Sequence, residues 1–174
     1  MRFIFVFPLA ALLFASCAGY KIGPVKPKMM ADIHKIAVLT FRNDTLEPRV
    51  EVDMATTLIN QFQQDGTYQI VDSKDADAIL ESTLDSIQRH PARTVRGNVL
   101  QTQEFILTVR GRFTLKKRDT AAVMDTRTVT GQTSFYVTGT GNVAADVNQD
   151  ERQAIPLAAQ DMAVQLVSQY SEGW

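Results

Sequence analysis

The sequence predicts an α+β fold with two helices packed on one face of a mostly antiparallel four-stranded sheet. Three observations carry that expectation. Two segments, Val50 to Gln64 and Glu151 to Tyr170, repeat apolar residues at helical spacing. The stretch Phe105 to Leu115 alternates apolar and polar residues. A matching stretch, Val123 to Thr138, follows it after a short charged turn, as the return arm of a hairpin does. Helices segregated to one face of such a sheet bury both apolar stripes at once.

The elements follow in order. Residues 1–16 read MRFIFVFPLAALLFAS: one Arg, an apolar run too short to span a bilayer, then small residues. That is the build of an export signal. The single cysteine, Cys17, stands directly behind it. Leu13-Phe14-Ala15-Ser16-Cys17 resembles a bacterial lipobox, with Phe14 where Leu is usual. On that reading Cys17 is lipidated; on the other, it is an incidental residue after an ordinary signal. More than one acyl chain anchors a protein stably, at about 0.8 kcal/mol per buried methylene. Ala18, rather than Asp, follows the cysteine, and by resemblance to enterobacterial sorting this favours the outer membrane. Residues 17–31, with Gly23, Pro24 and Pro27, read as a short tether, and residues 32–174 as a single domain.

Lys35 to Phe41 is a compact apolar run and reads as a strand. Arg42 to Pro48 breaks it with turn and cap residues. In the helix that follows, Val50, Met54, Leu58 and Phe62 share a face, Glu51 and Asp53 suit its first turn, and Gly66 suits its end. Tyr68 to Val71 is a short strand. Ala78 to Ile87 is read as a strand with a bulge between Leu84 and Ile87, a helix being the alternative. Gln88 to Gln101 reads as a loop, and so does Gly139 to Gln149. Pro156 suits the first turn of the last helix, which places its start near Ala154.

Composition excludes several functions. The chain has 174 residues, a formal charge of -1, 45% hydrophobic and 21% charged residues, which is ordinary for a globular protein. One Cys and two His, His34 and His90, leave nothing for a disulfide framework or a cysteine- or histidine-rich metal site. No nucleotide loop, nucleophile elbow, zinc-protease or CxxC motif is present, so no catalytic residue, cofactor or metal is expected. Asp72, Asp75 and Asp77 lie close in sequence but lack a calcium-loop pattern, and capping explains them better. An enzyme would need a pocket joining them to His90.

Charge is not evenly spread. Residues 89–118 hold eight cations, Arg89, Arg93, Arg96, Arg110, Arg112, Lys116, Lys117 and Arg118, against Glu104 alone, a local net charge of +7. A mixed surface is the plain explanation; an anionic partner is the functional one. An exported lipoprotein rarely meets nucleic acid, which leaves phosphorylated lipid as the anion that matches the compartment. Arg110 and Arg112 share a strand face, Thr126, Thr128 and Thr130 can add hydroxyls, and Lys116, Lys117 and Arg118 form a charged tip.

Cys17-Ala18-Gly19-Tyr20, the segment Ile36 to Thr45, the helix Glu51 to Phe62, and Tyr68 to Val71 with Ala76-Asp77-Ala78 together resemble the LPS-assembly lipoprotein family. Members are the small partner of the outer-membrane LPS translocon barrel. The resemblance implies two helices on a four-stranded sheet and a non-enzymatic outer-membrane lipoprotein on the periplasmic side. It further implies a plug inside the barrel lumen that supports barrel assembly and late LPS delivery to the cell surface. LPS or another acidic lipid is then the expected ligand of Arg110, Arg112, Lys116, Lys117 and Arg118. The alternative is a periplasm-facing envelope lipoprotein that binds another protein or a cell-wall component.

Overall fold

A computed structural model describes residues 26–93, 103–137 and 143–172. The export segment, Cys17, Arg96 and most of the tether lie outside them. After a 3-10 turn at Lys28–Met30 come β1 (Lys35–Val38), β2 (Arg42–Asn43), α1 (Val50–Asp65), β3 (Gln69–Ile70), β4 (Ala78–Arg93), β5 (Gln103–Lys117), β6 (Val123–Val137) and α2 (Val143–Ser171).

The sheet corrects the expected fold class. Among the described residues it has six strands, not four, and it is mixed. β4, β5 and β6 form a long antiparallel meander. β1 runs parallel to both β3 and β4, and β2 runs parallel to β4. The physical reason is that parallel neighbours leave no hairpin in the sequence, because the chain between them must cross over, here through α1. The run from Lys35 to Phe41 also divides: β1 ends at Val38, and the chain rejoins β4 once, for the two residues of β2.

The described parts of two expected loops, residues 88–93 and 143–149, are regular structure, and the remainder of each lies outside the described residues. Gln88 to Arg93 continues β4, so the hairpin with β5 is six residues longer than its composition suggests. Pro91 is tolerated there because that end of β4 has a strand on one side only among the described residues. α2 begins at Val143 and runs through Pro156. Pro156 is exposed, so the Arg152 carbonyl that it leaves without a donor lies on the solvent side. The irregularity between Leu84 and Ser86 is the expected bulge, and Ala78 to Ile87 is a strand rather than a helix.

Both helices cover one face, and one core cluster lies between. β5 contributes Leu107, Val109, Phe113 and Leu115; α1 contributes Met54, Leu58 and Phe62; α2 contributes Ala158, Met162 and Leu166. Phe41 meets Phe113 edge-on at 5.7 Å, an arrangement that adds to area burial. α2 approaches the sheet over Gly131 so closely that a Cβ there would lie 2.0 Å from the Ala158 carbonyl oxygen. Asp161, one turn on, accepts the Gln132 amide at 2.8 Å and so covers part of the outer edge of β6. The Tyr68 hydroxyl donates to the Tyr170 carbonyl oxygen at 2.6 Å, tying the segment after α1 to the end of α2.

Candidate functional site on the open sheet face

The other face of β4, β5 and β6 carries no helix among the described residues. Strand alternation puts every second residue there. On β5 these are Ile106, Thr108, Arg110, Arg112, Thr114 and Lys116, while their odd-numbered neighbours from Leu107 to Leu115 are buried. Register decides what flanks them. Arg110 stands between Ser86 and Thr130, Arg112 between Thr83 and Thr128, and Thr114 between Glu81 and Thr126. The centre of the face is thus a hydroxyl surface crossed by a row of cations.

Neighbouring strands bring carboxylates to that row. Arg112 pairs with Asp85 at 2.9 Å, and Lys116 pairs with Glu81 at 2.7 Å. Arg110 is exposed and has no ion pair among the described residues. The sequence reading missed Asp85 and Glu81 because their positions diagonal to Arg112 and Lys116 follow from the register and the bulge. Alternating polarity along β4 was the available signal, once its pairing with β5 was assumed.

The five expected anion-contact residues do not form one group. Arg110, Arg112 and Lys116 share the open face. Lys117 pairs in register with Ala78, whose side chain is buried on the helix side, so its own side chain leaves by that face. It lines a corner of about 210 Å³ with Arg118, Met29, Asp32, Asp77 and Asp119. Arg118 donates to the Ala76 carbonyl oxygen at 2.7 Å and pairs with Asp119 at 2.5 Å. Three carboxylates and two cations meet there, so the tip is not a free basic patch.

Of the acidic cluster, Asp77 has a structural role. Asp77 accepts the His34 and Lys35 amides at 2.9 and 2.8 Å. Those amides hold its carboxyl below the usual carboxylate range, against a smaller opposing effect of burial. His90 lies at the far end of β4, opposite Ile106, thirteen residues from Asp77. At about 3.3 Å per residue that is roughly 40 Å, so no pocket joins them. Among the described residues no group of three His, Cys, Asp or Glu side chains could hold a metal ion.

A second feature adjoins the face. A groove of about 470 Å³ runs between the loop Asp44–Glu47, the β4 residues Asp85–Gln88, and Glu151 and Arg152 of α2. Asn43 shapes that loop: its side chain accepts the Thr45 amide and hydroxyl at 2.9 and 2.7 Å and donates to the Glu47 carbonyl oxygen at 2.8 Å. Ion pairs Arg152–Glu47, at 3.3 Å, and Arg89–Glu151 brace the groove.

Comparison with known proteins gives the fold a family. No curated protein matches the chain. Two similar solved structures are the PelC dodecamer from Paraburkholderia phytofirmans and a minor lipoprotein from Acinetobacter baumannii. The first is 14% identical, with a TM-score of 0.51, covering 87% of this chain and 95% of that one. The second is 19% identical, with a TM-score of 0.50, covering 80% and 91%. These likenesses speak to the fold alone. The LptE, lipopolysaccharide-assembly, family model matches residues 33–170. The chain therefore belongs to the LptE family of non-enzymatic, periplasm-facing outer-membrane lipoproteins, which partner a β-barrel and assist LPS-translocon assembly and LPS delivery.

Proposed function

We propose that Cys17 carries the lipid anchor, that the domain sits within the lumen of its barrel partner, and that the open sheet face contacts phosphorylated LPS through Arg110. A barrel lumen is polar, and a flat surface of Thr, Ser, Gln and Arg side chains suits it. Arg112 and Lys116 supply further charge, each shared with a carboxylate. Lys117 and Arg118 act from the neighbouring corner.

The single observation that supports this reading is Arg110. It is the cation at the centre of the face, it is exposed, and no carboxylate neutralises it among the described residues. A guanidinium held by a rigid strand can engage a phosphate through two parallel N–H donors. The hydroxyls of Ser86 and Thr130 stand beside it to add neutral hydrogen bonds.

Binding of purified LPS to the Arg110→Ala variant tests it. The expected loss is about tenfold at low salt, the worth of one charge-assisted contact, and it shrinks as salt rises. Neutralising Lys116, Lys117 and Arg118 together should weaken binding less, because two of the three already face carboxylates. Unchanged binding in the Arg110 variant would overturn the assignment. Gentle extraction of the native outer membrane that recovers the lipoprotein without a barrel would overturn the lumen placement.

A further inference from the structure

The two ends of β4 are not alike. From Ala78 to Leu84 it has strands on both sides: β5 on one, β1 and then β2 on the other. From Ser86 onward only β5 remains among the described residues. In an antiparallel pair, successive residues point their N–H and C=O alternately at one neighbour and away from it. Leu80 and Leu84 point toward β1 and β2, since their oxygens accept the Leu39 and Asp44 amides at 3.1 and 3.0 Å. The bulge at Asp85 shifts that phase by one residue. Beyond it, Ile87, Arg89 and Pro91 direct their main-chain groups at the free side, while Ser86, Gln88 and His90 bond to β5.

The free edge is short and bounded. The bulge closes it at one end. At the other, Pro91 offers a carbonyl but no N–H. Both devices block open-ended strand addition. Between them two N–H groups and three carbonyls remain, enough for one short extended segment. The groove lies along the first part of this stretch, Ser86 to Gln88, with the Asp44–Glu47 loop as one wall and Glu151 and Arg152 as the other. A second copy of this chain would bring its own sheet and helix layer against those walls, whereas a single extended strand needs only the exposed Arg152–Glu47 pair that bridges them to part. Asp44, Glu47, Asp85 and Glu151 are each held by an arginine through one carboxylate oxygen, which leaves the second oxygen of each to accept, so the occupant carries side-chain donors.

We propose that the β4 edge from Ser86 to Pro91 takes a donor-bearing extended segment of the barrel partner as an additional strand. Barrel strands are paired on both sides, so the segment comes from a loop or a terminal extension of that protein. This rests on the barrel partnership and deepens it, because main-chain pairing gives strength and the groove gives selectivity.

Residue-resolved hydrogen exchange on the lipoprotein, alone and in the co-purified barrel complex, tests the proposal. The Ile87 and Arg89 amides should exchange freely in the isolated protein and slow about tenfold or more in the complex, while Gln88 is slow in both. Arg89→Pro removes one edge donor without touching the β5 ladder, so it should retain several-fold less barrel than Arg89→Ala, which loses the Glu151 pair alone. Unchanged exchange at Ile87 and Arg89 in a complex that forms would overturn the slot and leave the barrel partnership standing. Protection of both amides in the isolated protein, whether constant or rising with concentration, would also overturn it, since the chain itself or a second copy then fills the edge. If Arg89→Pro fails to fold, the exchange experiment on the unaltered chain decides. Absence of any barrel on purifying the unaltered chain would overturn the partnership, and the slot with it.

Discussion

The two faces of the β4–β5–β6 meander are made by alternate residues of the same three strands, and they obey different rules. On the helix side, Gly131, Val129, Phe113 and Leu115 meet α2 and α1 with no room to spare. On the open side, Thr108, Arg110, Thr128 and Thr130 meet one another across the strands with no layer above them among the described residues. One face is constrained by volume and the other by hydrogen-bonding chemistry. Side chains on the open face can therefore change toward a partner at little cost to the fold, and the candidate contacts lie there.

Four substitutions would break or sharpen that contrast. The largest effect is expected at Gly131. In Gly131→Ala the new methyl would overlap the Ala158 carbonyl oxygen and the Met162 amide nitrogen, so α2 must lift from the sheet. A loss of about 3 kcal/mol or more in denaturant unfolding is expected; a loss below about 1 kcal/mol would mean that the helix side is as forgiving as the open side. Next is Tyr68→Phe, which removes the bond to the Tyr170 carbonyl and should cost about 1 kcal/mol. It also has a pH signature. Burial, and then the Asp65 carboxylate, push the Tyr68 phenol up from 10.0 to about 12. A raised folded-state value favours the folded state fully below the unfolded value and loses that support as pH climbs from 10 toward 12. The alkaline fall in stability should be shallower in the Phe variant.

Asp77→Asn tests the end of the sheet, where the two faces meet. Its carboxyl titrates below its ordinary 3.8, so its support is complete above that value and is lost as pH falls through the lower folded value. The variant should be about 1 kcal/mol less stable near pH 7, a modest figure because the group is exposed, and equal to the parent in strong acid. The smallest effect is expected at Thr128→Ala, within about 0.5 kcal/mol by thermal unfolding. A larger loss there would show that the open face helps hold the fold together.

What the sequence made legible follows the same division. β5 and β6 were readable because one face is buried and the other solvated, which writes polarity into alternate residues. α1 was readable because Val50, Met54, Leu58 and Phe62 form a stripe with Gly66 as its stop. The parallel strands were not, because two-residue partners such as Gln69–Ile70 carry no pattern of their own. Gln88 to Gln101 reads as a loop from its Arg, Pro, Gly and Asn content, yet Gln88 to Arg93 continues β4, where Pro91 and the arginines sit well on an open edge. At the candidate site, the shared face of Arg110 and Arg112 and the threonines beside them followed from alternation alone. The carboxylates that pair diagonally with Arg112 and Lys116 did not, since a register with a bulge cannot be counted from one strand. Nor could the divergence of Lys116 and Lys117 be seen in a run of charges, although consecutive strand residues always point to opposite faces.

The crossover from β1 through α1 to β3 also has a consequence for how the molecule forms. The β4–β5–β6 meander joins neighbours in sequence, so its hairpins close quickly. β1 can find its place only once β4 exists, some forty residues later in the chain, and loop closure over that distance slows the search. The part of the domain that leaves the export machinery first is therefore completed last.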